Sequence, residues 1–200
     1  MNNEITVKLK CSINEIKTIL KDKGFKITNR YDVEDIYYIQ KDIDMTKIPI
    51  RQILKNYILI RKIKQYEPND FINNHNIIKI TYKLKDIDKN GNITKQEKYD
   101  CEIINEIQGK NILEAMNYKE IMTIKERDIV YSKNELDLEI KEIENGENLI
   151  EIETKEKNKE LDTINKLKQK ISQLNIPIEE NDFFVSKSEI ELKKILGDFK

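Results

Sequence analysis

Two short segments far apart in the chain alternate between ionised and apolar residues, and this constrains the fold more than any other feature. The first is 4–8 (Glu-Ile-Thr-Val-Lys) and the second is 149–153 (Leu-Ile-Glu-Ile-Glu). Because successive side chains of a strand point to opposite faces, each segment would form a strand with one charged and one apolar face. If the charged faces met inside a barrel, they would line a chamber of acids and bases able to hold a metal-bound polyphosphate.

The composition limits the kinds of partner that such a chain can have. The formal net charge of the 200 residues is -1, which argues against a general nucleic-acid binder or a basic membrane-surface protein. Two cysteines, Cys11 and Cys101, are too few for a secreted disulfide scaffold and favour a reducing compartment. No apolar run approaches the ~20 residues that span a membrane, and the first residues do not resemble a signal peptide. We therefore expect a soluble, cytoplasmic protein that binds neither nucleic acid nor a membrane.

Hydrophobic periodicity predicts eight strands and several helices. The strands are expected at about 4–11, 25–33 with a continuation at 36–39, 57–64, 77–85, 93–104, 119–131, 135–144 and 148–155. Ser12 and Glu15 have the spacing of a capping box, which begins a helix that ends at Gly24. Further helices are expected at about 50–55, 106–116 and 188–196, and along the apolar stripe from Leu161 to Leu174.

Turn residues connect most of these strands directly. Asn90-Gly91, within 88–92, predicts a tight hairpin, and similar turns are expected at 133–134 and 145–146. Consecutive hairpins with inserted helices are typical of an α+β fold with an antiparallel sheet, and eight strands suffice to close a β-barrel. We treat 1–200 as one domain, with C-terminal helices over about 158–197.

Charged and aromatic residues recur on successive predicted strands in a fixed order. They are Glu4 and Lys8; Asp35-Ile36-Tyr37-Tyr38; Leu59-Ile60-Arg61; Thr81-Tyr82-Lys83; Lys95-Gln96-Glu97; Lys125-Glu126-Arg127; and Gly146 followed by Glu151-Ile152-Glu153. Over nearly the whole chain this order resembles the CYTH superfamily, the triphosphate tunnel proteins, which include class IV adenylyl cyclases, thiamine triphosphatases and inorganic triphosphatases. The resemblance implies an eight-stranded antiparallel β-barrel, the triphosphate tunnel, with flanking helices.

The resemblance also implies roles for individual residues. The cations implied to bind phosphate are Lys8, Arg61, Lys83, Lys125 and Arg127. The carboxylates implied to bind Mg²⁺ or Mn²⁺ are Glu4, Glu97, Glu151 and Glu153. The residues implied to be catalytic are Glu4, Lys8, Glu151 and Glu153. The chemistry is consistent, because Arg and Lys neutralise phosphates, whereas hard divalent ions prefer oxygen ligands.

Two positions depart from the family pattern. Thr6 stands where the family has a second Glu, and an ungapped match places Lys141 where the family has Asp. A shifted register would offer Glu139 or Asp137 in place of Lys141. Each departure removes a candidate metal ligand.

Three functions follow as expectations from this resemblance. The first is a divalent-metal-dependent phosphohydrolase acting on tripolyphosphate or thiamine triphosphate. The second is a class IV adenylyl cyclase that makes cyclic AMP and pyrophosphate from ATP; no adenine-reading motif stands out, which favours hydrolysis. The third, motivated by Thr6 and Lys141, is a protein that binds polyphosphate or a nucleotide without turnover. In each case the expected partner is a triphosphate-containing small molecule. The sequence does not decide between a monomer and a homodimer. The third expectation differs in class from the two enzymes, and a fourth is a charged sheet that binds another protein.

Overall fold

The computed structural model describes residues 4–67, 70–87, 93–154 and 160–197. The elements in chain order are β1 (Glu4–Lys8), α1 (Ile13–Asp22), β2 (Lys26–Gln40), α2 (Ile50–Ile53), β3 (Asn56–Glu67), β4 (Asp70–Ile87), β5 (Ile93–Glu102), α3 (Glu106–Ala115), β6 (Tyr118–Lys133), β7 (Leu136–Ile143), β8 (Asn148–Glu153), α4 (Ile164–Gln173) and α5 (Lys187–Leu196).

The eight strands form one antiparallel sheet, in the order β1-β8-β7-β6-β2-β3-β4-β5. The predicted α+β fold, with eight antiparallel strands and flanking helices, is therefore confirmed. Among the described residues the sheet ends at β1 and β5 and is not closed into the barrel that the resemblance implied. Backbone contacts divide the chain into two compact units. Unit 1 comprises Met1–Asp32, Gln65–Asn74 and Glu126–Ser186, and unit 2 comprises Val33–Lys64, His75–Lys125 and Lys187–Lys200.

In unit 1 the apolar face of the sheet packs against two amphipathic helices. Ile5 of β1 and Ile152 of β8 share a buried cluster with Ile16 of α1 and Leu167 of α4. The capping box is present: the Ser12 hydroxyl accepts a hydrogen bond from the Glu15 amide, and the Glu15 carboxylate accepts one from the Ser12 amide at 2.8 Å. Because the helices cover the apolar face, the charged residues of β1 and β8 lie on the other face.

In unit 2 the helix α3 covers the apolar face of β3 and β4. Leu113 of α3 packs on a buried cluster that includes Ile58 and Ile60 of β3, and Ile80 of β4 lies against it. A methyl group on Gly109 would lie 2.7 Å from the Ile103 side chain, so α3 packs closely at this glycine. Lys79, Thr81, Lys83 and Lys85 of β4 consequently lie on the face away from α3, whereas Lys62 of β3 lies on the α3 side and pairs with Glu106 of α3 at 3.2 Å.

Of the described turns, the one at 145–146 is where the sequence predicts it, whereas the one predicted at 133–134 lies one residue later. Asn134 and Glu135 have φ of 47° and 65°, as in the hairpin turns that match strand twist. Asn145 has φ of 56°, and a Cβ on the next residue, Gly146, would lie 2.6 Å from Ile143. The predicted hairpin turn at 88–92 lies outside the described residues. In the described part of the chain, no helix has the length and apolar character needed to cross a membrane.

Candidate functional site

The charged face of unit 1 is formed where β1 pairs with β8. Glu4 lies opposite Glu153 and Thr6 lies opposite Glu151, so the two alternating segments present their ionised residues on one face. On its other edge β1 is held by the segment 183–185: the Thr6 amide donates to the Phe183 carbonyl at 3.1 Å. Three of the predicted metal-side carboxylates are thus on the same face of neighbouring strands.

Lys141 of β7 reaches into this face. Its Nζ lies 2.9 Å from Glu139 Oε1 and 3.2 Å from Glu151 Oε2, and the Lys141 side chain is 15% exposed. The Thr6 hydroxyl donates to the same Glu151 oxygen at 3.3 Å. The two residues that depart from the family pattern therefore both contact Glu151.

Burial and neighbouring charges shift the pKa values of this pair. Burial raises the pKa of Glu151 to about 7; Lys141 opposes this, and Glu4 adds to it. Burial alone would lower the pKa of Lys141, but the carboxylates of Glu151 and Glu139 hold it well above its usual value. Asp128 and Glu126 raise the pKa of Lys141 further. Lys141 therefore stays protonated, while Glu151 changes charge near neutral pH.

Glu126 and Asp128 of β6 are acidic residues of this face that the sequence interpretation did not assign. Asp128 lies opposite Lys141 in the β6–β7 pairing, and both acids are almost completely buried. Strand alternation explains their orientation: Ile129 and Tyr131 belong to the apolar cluster, so Asp128 and Glu126, which lie one and three residues before Ile129, face the other way.

The two predicted phosphate cations of unit 1, Lys8 and Arg127, pair with carboxylates other than Glu139 and Glu151. Lys8 pairs with Glu147 at 2.9 Å and Glu179 at 3.8 Å, and the hydrogen bond to Glu147 raises the pKa of Lys8. Arg127 lies on the opposite face of β6 from Asp128, 3.5 Å from Glu142, with 60% of its side chain exposed. It lines a cleft of about 410 Å³ together with Arg30. The structure does not bring Arg127 together with Glu151.

Unit 2 contains a fully buried carboxylate held by two cations. Arg61 donates from Nε and Nη2 to the two oxygens of Asp35, both at 2.5 Å, and Lys187 Nζ lies 2.8 Å from Asp35 Oδ2. Burial alone would raise the pKa of Asp35, but Lys187 and Arg61 hold it well below its usual value. Asp35 thus fixes the guanidinium of Arg61, a predicted phosphate ligand.

Lysines follow the same side of β4 and β5. Lys79, Thr81, Lys83 and Lys85 share one face of β4 by strand alternation, and Lys83 lies opposite Lys98 of β5. Lys85 is 5% exposed, and its Nζ lies 5.5 Å from the centre of the Tyr57 ring. Asp100 of β5 accepts from the Thr81 hydroxyl at 2.6 Å and lies 3.6 Å from Lys79.

Burial and neighbouring charges shift the pKa of Lys79. Burial lowers the pKa of Lys79, and the positive charges of Lys98 and Arg61 lower it further, against the effect of Asp100. We call the following set the basic face of unit 2: Arg61, Lys79, Lys83, Lys85, Lys98 and Lys187, with the acids Asp35, Asp100 and Glu102, the last of which lies opposite Lys79. Six cations and three carboxylates leave an excess of three positive charges within this set.

The other predicted site residues of unit 2 lie elsewhere. Glu97 pairs with Leu84, on the face of β4 and β5 opposite to Lys83, and accepts a hydrogen bond from Tyr99 at 2.7 Å. Lys125 of β6 is exposed. Among the described residues, no group of three or more His, Cys, Asp or Glu side chains is arranged to hold a metal ion.

Comparison with known proteins identifies structures of similar fold, but it does not assign the chain to a family. No protein-family model matches the sequence, and no curated protein matches it either. Among solved structures, PH1819 protein from Pyrococcus horikoshii is similar over 97% of this chain and 99% of its own, with a TM-score of 0.67 and 22% identity.

Two further structures are named for an activity. A "putative adenylate cyclase" from Vibrio parahaemolyticus matches with a TM-score of 0.62 and 14% identity, covering 96% of this chain and 97% of its own. A "putative adenylyl cyclase" from Hippeastrum, described as having a dominant triphosphatase activity, matches with a TM-score of 0.59 and 15% identity, covering 100% and 99%. At these identities the comparisons establish a shared fold.

Proposed function

We propose that the chain binds a triphosphate-containing small molecule and hydrolyses it in the presence of Mg²⁺ or Mn²⁺. The observation that carries this proposal is the excess of positive charge on the basic face of unit 2. Cations that are clustered and partly removed from water repel one another, so a site of this kind favours an anionic ligand. A chain of phosphates matches it, since it places several negative charges along a short path.

Different cations of the basic face have different proposed roles. Arg61 is held by Asp35 through Nε and Nη2, so its guanidinium is oriented before a ligand arrives. Asp35 is then a positioning residue. Lys79, Lys83 and Lys98 act as point charges for phosphate oxygens. The fold shared with a protein described as a triphosphatase supports this assignment.

Unit 1, taken by itself, carries carboxylates suited to proton transfer and to metal binding. Burial, against the effect of Lys141, raises the pKa of Glu151 to about 7, which would suit a carboxylate that accepts a proton from water at neutral pH. Glu4 and Glu153, opposite each other on β1 and β8, are the carboxylates proposed to hold a divalent ion. Mg²⁺ commonly binds through one or two carboxylates and retains several waters.

One observation favours a second candidate, binding without turnover. Lys141 and Thr6 both contact Glu151, which reduces its capacity to take part in metal binding or proton transfer. A protein with these contacts could retain the basic face and bind triphosphate without hydrolysing it.

Phosphorus NMR on the purified chain tests these functions together. Tripolyphosphate, thiamine triphosphate and ATP are each incubated with Mg²⁺, Mn²⁺ or EDTA. Orthophosphate with the corresponding diphosphate identifies a triphosphatase, which we expect from tripolyphosphate or thiamine triphosphate. Pyrophosphate with a cyclic nucleotide from ATP would identify an adenylyl cyclase instead. No product from any substrate would contradict hydrolysis and favour binding alone.

A pair of variants tests the basic face itself. Lys83→Ala should weaken tripolyphosphate binding in calorimetry, whereas Lys47→Ala should not, because Lys47 is exposed and pairs with Asp44 on the surface of the same unit. Equal affinity of Lys83→Ala and the unchanged protein would remove Lys83 from the phosphate site.

A further inference from the structure

The ammonium of Lys141 occupies the position in unit 1 where carboxylates converge. It contacts Glu139 at 2.9 Å and Glu151 at 3.2 Å, and its strand places it opposite Asp128. One lysine therefore lies among several acids that face the same side of three neighbouring strands.

We propose that the Lys141 ammonium is a built-in cation that takes the place of a divalent metal ion, so that Glu139 and Glu151 bind Lys141 and not Mg²⁺ or Mn²⁺. This inference concerns only side chains of unit 1 and does not depend on the proposed hydrolysis. It restricts any metal that accompanies a substrate to other carboxylates.

The distances support a lysine site. Contacts of 2.9 and 3.2 Å suit hydrogen bonds from an ammonium group, which has three donors. Mg²⁺ demands oxygen ligands at about 2.0–2.1 Å in nearly octahedral geometry. Glu139 and Glu151 are paired across β7 and β8 and accept from Nζ between them, so a metal ion would have to displace a fixed positive charge.

The rest of this face also suits a lysine better than a metal. Leu149, opposite Lys141 on β8, is 1% exposed, and Val130, opposite Glu139 on β6, is also buried. Apolar side chains at these two positions supply no oxygen ligands. Thr6 donates its hydroxyl proton to Glu151, which supports the carboxylate in its paired arrangement.

The backbone holds Lys141 in place. It lies in the middle of β7, paired with Asp128 on one side and Leu149 on the other. A tethered ammonium does not dissociate, and a divalent ion placed among the same carboxylates would be repelled by it. The cation should leave only when the residue is changed.

Mn²⁺ binding to the full chain, without any triphosphate, tests this inference. Free Mn²⁺ is measured by electron paramagnetic resonance at pH 8, where Glu151 is ionised. We compare the unchanged protein with Glu139→Gln, Lys141→Ala and the double variant Lys141→Ala/Glu139→Gln. Lys10→Ala is the matched control, because it removes the same charge from an exposed position of unit 1.

The expected result is that Glu139→Gln leaves the Mn²⁺ affinity of the unchanged protein as it was. Lys141→Ala should gain a Mn²⁺ site that the double variant loses and that Lys10→Ala does not acquire. Mn²⁺ should also raise the melting temperature of Lys141→Ala, since a ligand of the folded state stabilises it.

Two results would overturn the inference. One is a Mn²⁺ site in the unchanged protein whose affinity falls by about tenfold or more in Glu139→Gln, the loss typical when a residue that supports a metal site is replaced. The other is a folded Lys141→Ala variant that gains no Mn²⁺. If Lys141→Ala does not fold, the comparison of the unchanged protein with Glu139→Gln decides alone. Because no triphosphate is present, a failure of the proposed hydrolysis does not affect either result.

Discussion

Replacing Asp35 by Asn should destabilise the protein far more than replacing its neighbour Glu34 by Gln. Asp35 is fully buried and neutralises both Arg61, at 2.5 Å, and Lys187, at 2.8 Å. An amide keeps the shape of the carboxylate but removes the buried negative charge that both of these largely buried cations contact. Removing one member of a buried ion pair typically costs about 3–5 kcal/mol.

The control is the adjacent residue of β2. Glu34 pairs with Lys62 at 2.7 Å, and about 30% of each side chain is exposed. An exposed pair of this kind contributes about 0–1 kcal/mol. For a protein of this size, 3–5 kcal/mol corresponds to roughly 6–20 °C in melting temperature. Urea denaturation and thermal unfolding at pH 7, followed by circular dichroism, measure both variants.

The pH dependence gives an independent check on Asp35. Its pKa in the folded protein is lowered by Lys187 and Arg61, against the effect of burial. The stabilisation is therefore complete above the unfolded pKa and is lost as pH falls below about 4 through the folded pKa. The unchanged protein should lose stability over this acid range, and Asp35→Asn should lack that part of the loss. Equal stability of Asp35→Asn and Glu34→Gln at pH 7 would refute the reasoning.

Three further changes have defined outcomes. Burial raises the pKa of Glu151 to about 7, so the folded state holds more protons than the unfolded state between about pH 4.5 and 7. The free energy of unfolding should therefore fall by roughly 3 kcal/mol as the pH rises over this range. Glu151→Gln should abolish this fall, which urea titrations at several pH values would measure. Ser12→Ala removes the hydroxyl of the capping box and should lower stability by about 1 kcal/mol, measured as the urea midpoint; an unchanged midpoint would contradict the role of the cap. Glu153→Gln should reduce Mg²⁺- or Mn²⁺-dependent hydrolysis much more than stability, and equal activity with a normal metal optimum would remove Glu153 from the site.

The sequence predicts best the elements whose signals are local. Strand alternation in 4–8 and 149–153 was sufficient to place the ionised residues of β1 and β8 on one face. The capping box at Ser12 and Glu15 fixed the start of α1 for the same reason, since both partners lie within one turn. Such patterns depend on neighbouring residues alone.

The strands with charges on both faces could not be assigned in this way. In 125–128 (Lys-Glu-Arg-Asp) every residue is ionised, so charge alone does not tell which pair faces the apolar core. The structure decides through Ile129, which packs in the core and thereby turns Asp128 to the other face. β5 presents the same difficulty: its pairing with β4 puts Asp100, and not Glu97, beside Thr81.

Contacts between residues distant in sequence account for the rest of what the sequence did not predict. Lys187, the first residue of α5, reaches Asp35 of β2, and no local pattern marks this partner. Lys141 was recognised as a departure, but its contacts with Glu139 and Glu151 depend on how β7 and β8 pair. Register between strands is set by packing, which alternation within one strand does not specify.

The two units balance buried charge in opposite ways, and the difference indicates where a ligand acts. In unit 1 a single ammonium, Lys141, lies among carboxylates and satisfies two of them directly. In unit 2 a single carboxylate, Asp35, satisfies two cations, but the lysines of β4 and β5 outnumber the acids beside them. Like charges held close together raise the free energy of the folded protein unless a counter-ion binds. A phosphate chain would relieve that repulsion, so tripolyphosphate should stabilise the protein against unfolding, and Lys83→Ala should reduce this effect more than Lys47→Ala does.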